Sequence, residues 1–261
     1  MSYPLLKQSD RLPSVAALQI LLNRAHDRGE ALVIDGLYGP RTKARVKTFQ
    51  EQHQPRLTAD GIVGQQTWPA LTAGQDFQIL DAVDVTKAGD ELLEVADLRA
   101  AGGQPITSQG MCNGIRSSLF RIRSRARHGK LALLRFHGHG HPGSMGVAVG
   151  TGGYASSELD VRYIDSVVRV LLPLRTLFAP LGSVEMHGCR VGAGRQGRQL
   201  LRGMAYALQT PVTAGLGIQY GGGGKTFHFE GPTLTVCPDG ISLTDWAGSL
   251  TGPGTRRQSR Q

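Results

Sequence analysis

No run of eighteen apolar residues occurs in the chain, which excludes a membrane-spanning helix. The first ten residues, Met1 to Asp10, lack a basic stretch followed by an apolar one, so no secretory signal peptide is expected. Cysteines are few. Cys112, Cys189 and Cys237 are odd in number and far apart, which is not a disulfide framework. Aromatic residues make up only 6% and charged residues 19%, yet hydrophobic residues reach 40%, and over 261 residues that suffices for a buried core. No helix-turn-helix, RRM or zinc-finger pattern is present, so no specific nucleic-acid partner is expected. The net charge of +9 is spread along the chain, which suits a loosely held polyanion such as a cell wall. What the chain has in abundance is glycine, 36 residues, gathered around short histidine and cysteine segments as tight loops at a site would require.

The chain divides near residue 75. In residues 1–75, Asp35-Gly-Leu-Tyr-Gly39-Pro-Arg-Thr42 recurs as Asp60-Gly-Ile-Val-Gly64-Gln-Gln-Thr67, offset by 25 residues. Each copy reads as a turn followed by a helix start, with Gly36 and Gly61 free to take positive φ and Pro40 suited to a first helical position. Pro13 opens a helix with Val15, Leu18 and Leu22 on its apolar face, and Val46 and Phe49 supply the matching face. The expectation is a small all-α module. Its residues Leu18-Gln19, Asp35-Gly36, Gly39-Pro40, Thr42, Phe49-Gln50, Asp60-Gly61, Gly64, Thr67-Trp68 and Leu71 resemble the peptidoglycan-binding domain family found on many wall hydrolases. The resemblance implies peptidoglycan as partner and a binding surface near the Asp-Gly turns. There Asp35 and Asp60 are candidate contacts, and Tyr38 and Trp68 are candidates to stack on sugar or peptide.

Residues 76–250 read as strands alternating with helices. Strands are expected at Ile79–Val83, Leu131–Phe136, Ser183–His187 and Thr210–Ala214, and helices over Ile115–Ala126, Val161–Leu171 and Leu200–Leu208. This order predicts a three-layer α/β domain with a mainly parallel sheet, Thr226–Cys237 adding a hairpin at its edge. The tail 251–261, with Arg256, Arg257 and Arg260, is expected to be disordered.

Reactive groups in such sheets gather at the carboxyl ends of strands. One strand here leads into His137-Gly-His139-Gly-His141-Pro-Gly143 and another into His187-Gly-Cys189. A cysteine nucleophile needs a neighbouring base, and a histidine from an adjacent strand end can supply it. His137 and His139 are both candidates, with His139 favoured. Cys112 and Cys237 read as structural, His141 as a loop residue, and Glu185 as a paired polar group on the face of His187.

This order resembles the caspase, gingipain and legumain group of cysteine peptidases, in which His-Gly follows one hydrophobic strand and the cysteine the next. Cys189-Arg-Val-Gly192-Ala-Gly194, followed by Gly197, is similar to the cysteine segment of related bacterial domains. The resemblance implies a caspase-like fold and an oxyanion hole from the backbone amides of Gly140 and Cys189. It also implies a peptide or protein substrate and no cofactor. In those peptidases alanine more often stands at the position of Gly188.

Two other readings stay open. His137 and His139 alternate along an extended segment and can share a zinc ion in a wall hydrolase or a phage-type endolysin, although no His-Glu-x-x-His motif occurs. Alternatively, the second domain is a non-catalytic docking module with a degenerate peptidase fold. The combined expectation is a wall-targeted cysteine hydrolase acting as an antibacterial effector. It is made in the cytoplasm, reaches the periplasm or wall by a non-Sec route, and has secretion-apparatus and immunity proteins as further partners.

Overall fold

In the repeated Asp-Gly segments the backbone turns sharply, and polar side chains must satisfy the groups those turns leave open. A computed structural model describes residues 1–25, 30–86, 89–110, 114–148 and 157–250. Its first part holds α1 (Pro13–Ala25), α2 (Pro40–Gln52) and the short α3 (Thr67–Leu71). Gly36 and Gly61 both take φ of 73°. Gln19 on α1 donates to Asp35 Oδ1 (2.8 Å) and to the Leu37 carbonyl (3.1 Å), and its Oε1 accepts from the Asp35 and Gly36 amides. Gln50 on α2 repeats the device: it donates to Asp60 Oδ1 (3.2 Å), the Ile62 carbonyl (2.9 Å) and Thr67 Oγ1 (3.1 Å), and accepts from the Gly61 amide (2.9 Å). The sequence repeat is thus a repeated glutamine clamp. Replacing Gln50 with leucine would leave the Gly61 amide without its partner and the Ile62 carbonyl with only the Thr67 hydroxyl, at 3.4 Å. The expected cost is about 2–4 kcal/mol in urea unfolding, and a loss below about 0.5 kcal/mol would contradict it.

The second part contains β1 (Gln78–Asp84), α4 (Asp90–Ala100), β2 (Ile106–Ser108), α5 (Gly114–Arg125), β3 (Leu131–His137), β4 (Gly140–His141), β5 (Ser144–Gly146) and β6 (Glu158–Asp160). It continues with α6 (Ile164–Leu171), β7 (Phe178–His187), α7 (Gly194–Leu208), β8 (Val212–Gly215), β9 (Thr233–Val236) and α8 (Leu243–Ser249). Six strands form one sheet in the order β2-β1-β3-β7-β8-β9. All neighbours are parallel except the edge pair β8–β9. Strands β4, β5 and β6 make a small separate antiparallel sheet. The expected mainly parallel sheet is therefore present. Of the expected Thr226–Cys237 hairpin only Thr233–Val236 is a strand, antiparallel to β8, and the segment before it runs as loop and turns. The expected helix over Val161–Leu171 is α only from Ile164; Val161–Tyr163 and Leu172–Leu177 are 3₁₀ turns flanking it.

Strand alternation splits the sheet into two chemically different faces. Ala82, Phe136 and Met186 point to one side, where they pack with Leu119 and Ile122 of α5, Leu171 of α6 and Leu200 and Met204 of α7. Asp81, Arg135 and Glu185 are register partners across β1, β3 and β7, two residues before the row Val83, His137 and His187. These charged side chains are buried under the other layer, formed by α4, the chain's first residues and the Phe227–Phe229 segment.

The helical module packs against this second layer. Tyr3, Trp68, Phe77, Ile79 and Phe229 share one apolar cluster, and Ala16 of α1 packs with Cys237, Trp246 and Ala247. The Leu5 amide donates to the Phe227 carbonyl (2.8 Å), and Thr244 Oγ1 to the Asp35 carbonyl (3.4 Å).

Two expectations about the module need correction. Tyr38 is buried with its hydroxyl donating to the Gly61 carbonyl (2.9 Å), and Trp68 is buried with its indole N–H donating to the Pro4 carbonyl (2.8 Å). Neither offers a free ring face for stacking; both build the core. Asp35 and Asp60 hold their turns through the amides of Leu37 and Ile62, each at 2.8 Å. Cys112 and the tail 251–261 lie outside the described residues.

Candidate active site

Strands β3 and β7 are parallel neighbours, with His137 in register with His187, so the segments that follow them leave the sheet side by side. The two loops are laced by backbone: the Gly143 amide donates to the Val191 carbonyl (3.1 Å), and the Gly138 amide to the His187 carbonyl (3.4 Å). Glycine is needed where they touch. A Cβ on Gly140 would meet Val191 Cγ2 at 2.5 Å and the Cys189 carbonyl at 3.1 Å, and one on Gly188 would meet the Gly138 carbonyl at 3.0 Å. The last contact gives a physical reason for glycine at 188 where alanine is commoner in the resembled peptidases.

Between the loops lies a small cavity of about 60 Å³, bordered by Glu91, Glu94, His139, Cys189, Gln219 and Glu230 among others. Cys189 is half-buried in the turn after β7. Its Sγ lies 3.5 Å from both the amide nitrogen and the carbonyl oxygen of Gln219, which follows β8. The Cys189 amide has no hydrogen-bond acceptor among the described residues. Cys237, by contrast, is buried in an apolar cluster, and burial pushes its thiol up to about 12.

The doubled histidine motif separates into two environments. His139 is largely exposed at the cavity, with Nε2 3.0 Å from Glu91 Oε1. His137 is fully buried on β3, with Nε2 3.2 Å from Asp81 Oδ1 and Nδ1 3.4 Å from Glu94 Oε1. Burial alone would lower its pKa, but the hydrogen bonds and charges of Asp81 and Glu94 outweigh it and carry it up to about 8. His187 stacks between His137 (5.0 Å) and Phe229 (4.3 Å) and bonds Glu185 (3.0 Å); burial holds its pKa below the ordinary value. Asp81 is the hub of this network, also accepting from Arg135 Nε at 2.6 Å and from the Ser2 hydroxyl. Despite its own burial, Arg135 and His137 hold its carboxyl far below the usual carboxylate range.

The structure thus brings His139, Gly140 and Cys189 together and sets His137 apart, buried in an ionic network. His137 and His139 face different carboxylates, and among the described residues no three His, Cys, Asp or Glu side chains converge to hold a metal ion. Glu91, Glu94 and Gln219 are not among the residues the sequence singles out. The available signal for the glutamates is the acidic start of α4, Asp90-Glu91-Leu-Leu-Glu94, directly after β1.

Residues 11–71 match the family model described as "Putative peptidoglycan binding domain". The match supports an N-terminal peptidoglycan-binding domain and, with it, cell-wall binding by this part of the chain. No curated protein matches the chain. Among the described residues no helix is long and apolar enough to cross a membrane.

Proposed function

We propose that the chain is a wall-targeted cysteine hydrolase of the caspase, gingipain and legumain type, acting on a peptide or amide bond. The observation that carries this reading is that His139 and Cys189, from loops after adjacent parallel strands, line one cavity. The Cys189 sulfur, its proton taken by His139, attacks the substrate carbonyl. The oxyanion forms against the amides of Cys189 and Gly140, and His139 returns the proton to the leaving amine. The resulting thioester is cleaved by water, which releases the acid and restores the thiol. A carbonyl approaching Sγ displaces the contacts that Cys189 now makes with Gln219. The peptidoglycan-binding module keeps the catalytic part near wall peptides and wall-associated proteins, raising its effective concentration there.

The test is intact-mass analysis during iodoacetamide alkylation of the full chain, with zinc measured on the same samples. Single-site labelling at Cys189, slowed at least about tenfold in His139→Ala and little changed in His137→Gln, is the expected result. Slow labelling with stoichiometric zinc would replace this reading with a zinc hydrolase. Slow labelling without zinc would leave a docking protein.

A further inference from the structure

The first turns of α4 carry two glutamates three residues apart, and each meets one histidine of His137-Gly-His139: Glu94 faces His137 Nδ1 at 3.4 Å and Glu91 faces His139 Nε2 at 3.0 Å. The second pair is asymmetric. The side chain of His139 is 68% exposed, whereas that of Glu91 is 6% exposed. An exposed loop side chain is therefore held by an acid fixed in the protein interior. The other charged groups around the cavity are engaged elsewhere. Glu94 meets His137, Glu230 meets Lys225 at 3.2 Å, and His187 meets Glu185. His228, also on the cavity wall, has its Nδ1 without a partner among the described residues. For Glu91, Oε2 has no hydrogen-bond partner among the described residues and Oε1 meets His139. A buried carboxylate with a single polar contact is not explained by packing, because leaving its other oxygen unpaired is costly.

We propose that Glu91 is the positioning residue for His139, an inference that rests on the reading of Cys189 and His139 as nucleophile and base. Accepting a hydrogen bond from Nε2–H, the carboxylate selects the tautomer whose Nδ1 is free to take the thiol proton. When that proton moves, Glu91 stabilises the imidazolium formed. The same contact fixes the ring at the cavity, restricting an exposed side chain to one orientation. Glu91 touches neither the thiol nor the substrate carbonyl, and it acts only through His139.

The experiment is the iodoacetamide alkylation rate of Cys189 in the full chain from about pH 5 to about pH 10. It compares wild type, Glu91→Gln, Glu91→Asp, His139→Ala and the Glu91→Gln/His139→Ala double variant, each with its thermal unfolding recorded. Glu91→Gln is expected to slow alkylation near neutrality about tenfold and move the midpoint of the profile upward. Glu91→Asp restores part of the rate, and the double variant is no slower than His139→Ala alone. A Glu91→Gln profile that overlays the wild type overturns the proposal, as do losses that add in the double variant. If His139→Ala itself labels at the wild-type rate, the base assignment fails first and the role of Glu91 falls with it. A merely structural Glu91 would lower the unfolding temperature of Glu91→Gln without moving the midpoint.

Discussion

Asp81→Ala is expected to cost the fold about 3–5 kcal/mol in urea unfolding, because it strands the buried Arg135 and leaves His137 with Glu94 alone, at 3.4 Å. Arg135 is wholly buried and His137 likewise, and Asp81 Oδ1 is within 2.6 Å of the first and 3.2 Å of the second. Arg135 would keep only its bond to the Ser2 carbonyl (2.5 Å) and its approach to the Phe227 ring, since Nη1 has no partner among the described residues. The Ser2 hydroxyl loses its acceptor too, so damage is expected where the chain's first residues meet the sheet. Replacing the pair together, Asp81→Leu with Arg135→Met, should be less destabilising than Asp81→Ala alone, because the buried guanidinium is removed with its partner while His137 keeps Glu94. A single-variant loss below about 1 kcal/mol would mean that the network does not hold the sheet as described.

The same network sets a pH dependence. His137 is raised from its ordinary value to about 8, so its pairing with Asp81 and Glu94 stabilises the fold fully below about pH 6.5. That contribution is lost as the pH rises through 8, about 2 kcal/mol in all. His187 works in the opposite sense. Burial lowers its pKa, so its neutral form stabilises the fold above about pH 6.5 and the contribution fades on acidification. Stability should therefore fall between about pH 6.5 and pH 9 in the wild type, and His137→Gln should lack that slope.

Gly197→Ala is expected to be the most damaging change of a single methyl group near the site. A Cβ there would stand 2.3 Å from the Gly192 carbonyl carbon and 2.6 Å from the carbonyl oxygens of Gly192 and Val191. All three are backbone atoms of the turn that follows Cys189, so α7 and that turn must separate. Overpacking of this kind costs about 1–3 kcal/mol. Because the displaced turn carries Cys189 and bonds to Gly143 through Val191, the alkylation rate of Cys189 should change with stability. Alanine tolerated without loss of either would show that the turn has slack. Gly203 on the same helix provides a contrast, since its Cβ would meet the flexible end of Ile164.

The helical module and the parallel sheet were legible because each rests on local, periodic information. The Asp-Gly repeat marks two equivalent turns, and apolar runs such as Leu131–Phe136 mark strands that turn at least one face to a core. The start of α7 was less legible: glycines 194 and 197 break the apolar period, and only the approach to Gly192 shows why Gly197 belongs inside a helix. Helix α4 was missed because its apolar and acidic positions serve partners far away in the chain, Leu98 beneath β1 and Glu91 and Glu94 beside the two histidines.

By itself, then, the sequence determined the wall-binding module and four strands of the main sheet, with histidine and cysteine at the ends of two of them, but not α4, α8, β2 or the β4–β6 sheet. Chain periodicity and strand-end chemistry are written in neighbouring residues. Only the tertiary structure decided which side chains those elements bury or expose. It put Tyr38 and Trp68 inside the module, tied His137 into an ionic row with Asp81 and Arg135, and left His139 at the cavity with Cys189. Burial and long-range charge pairing depend on which faces meet, and that is fixed only when the layers pack.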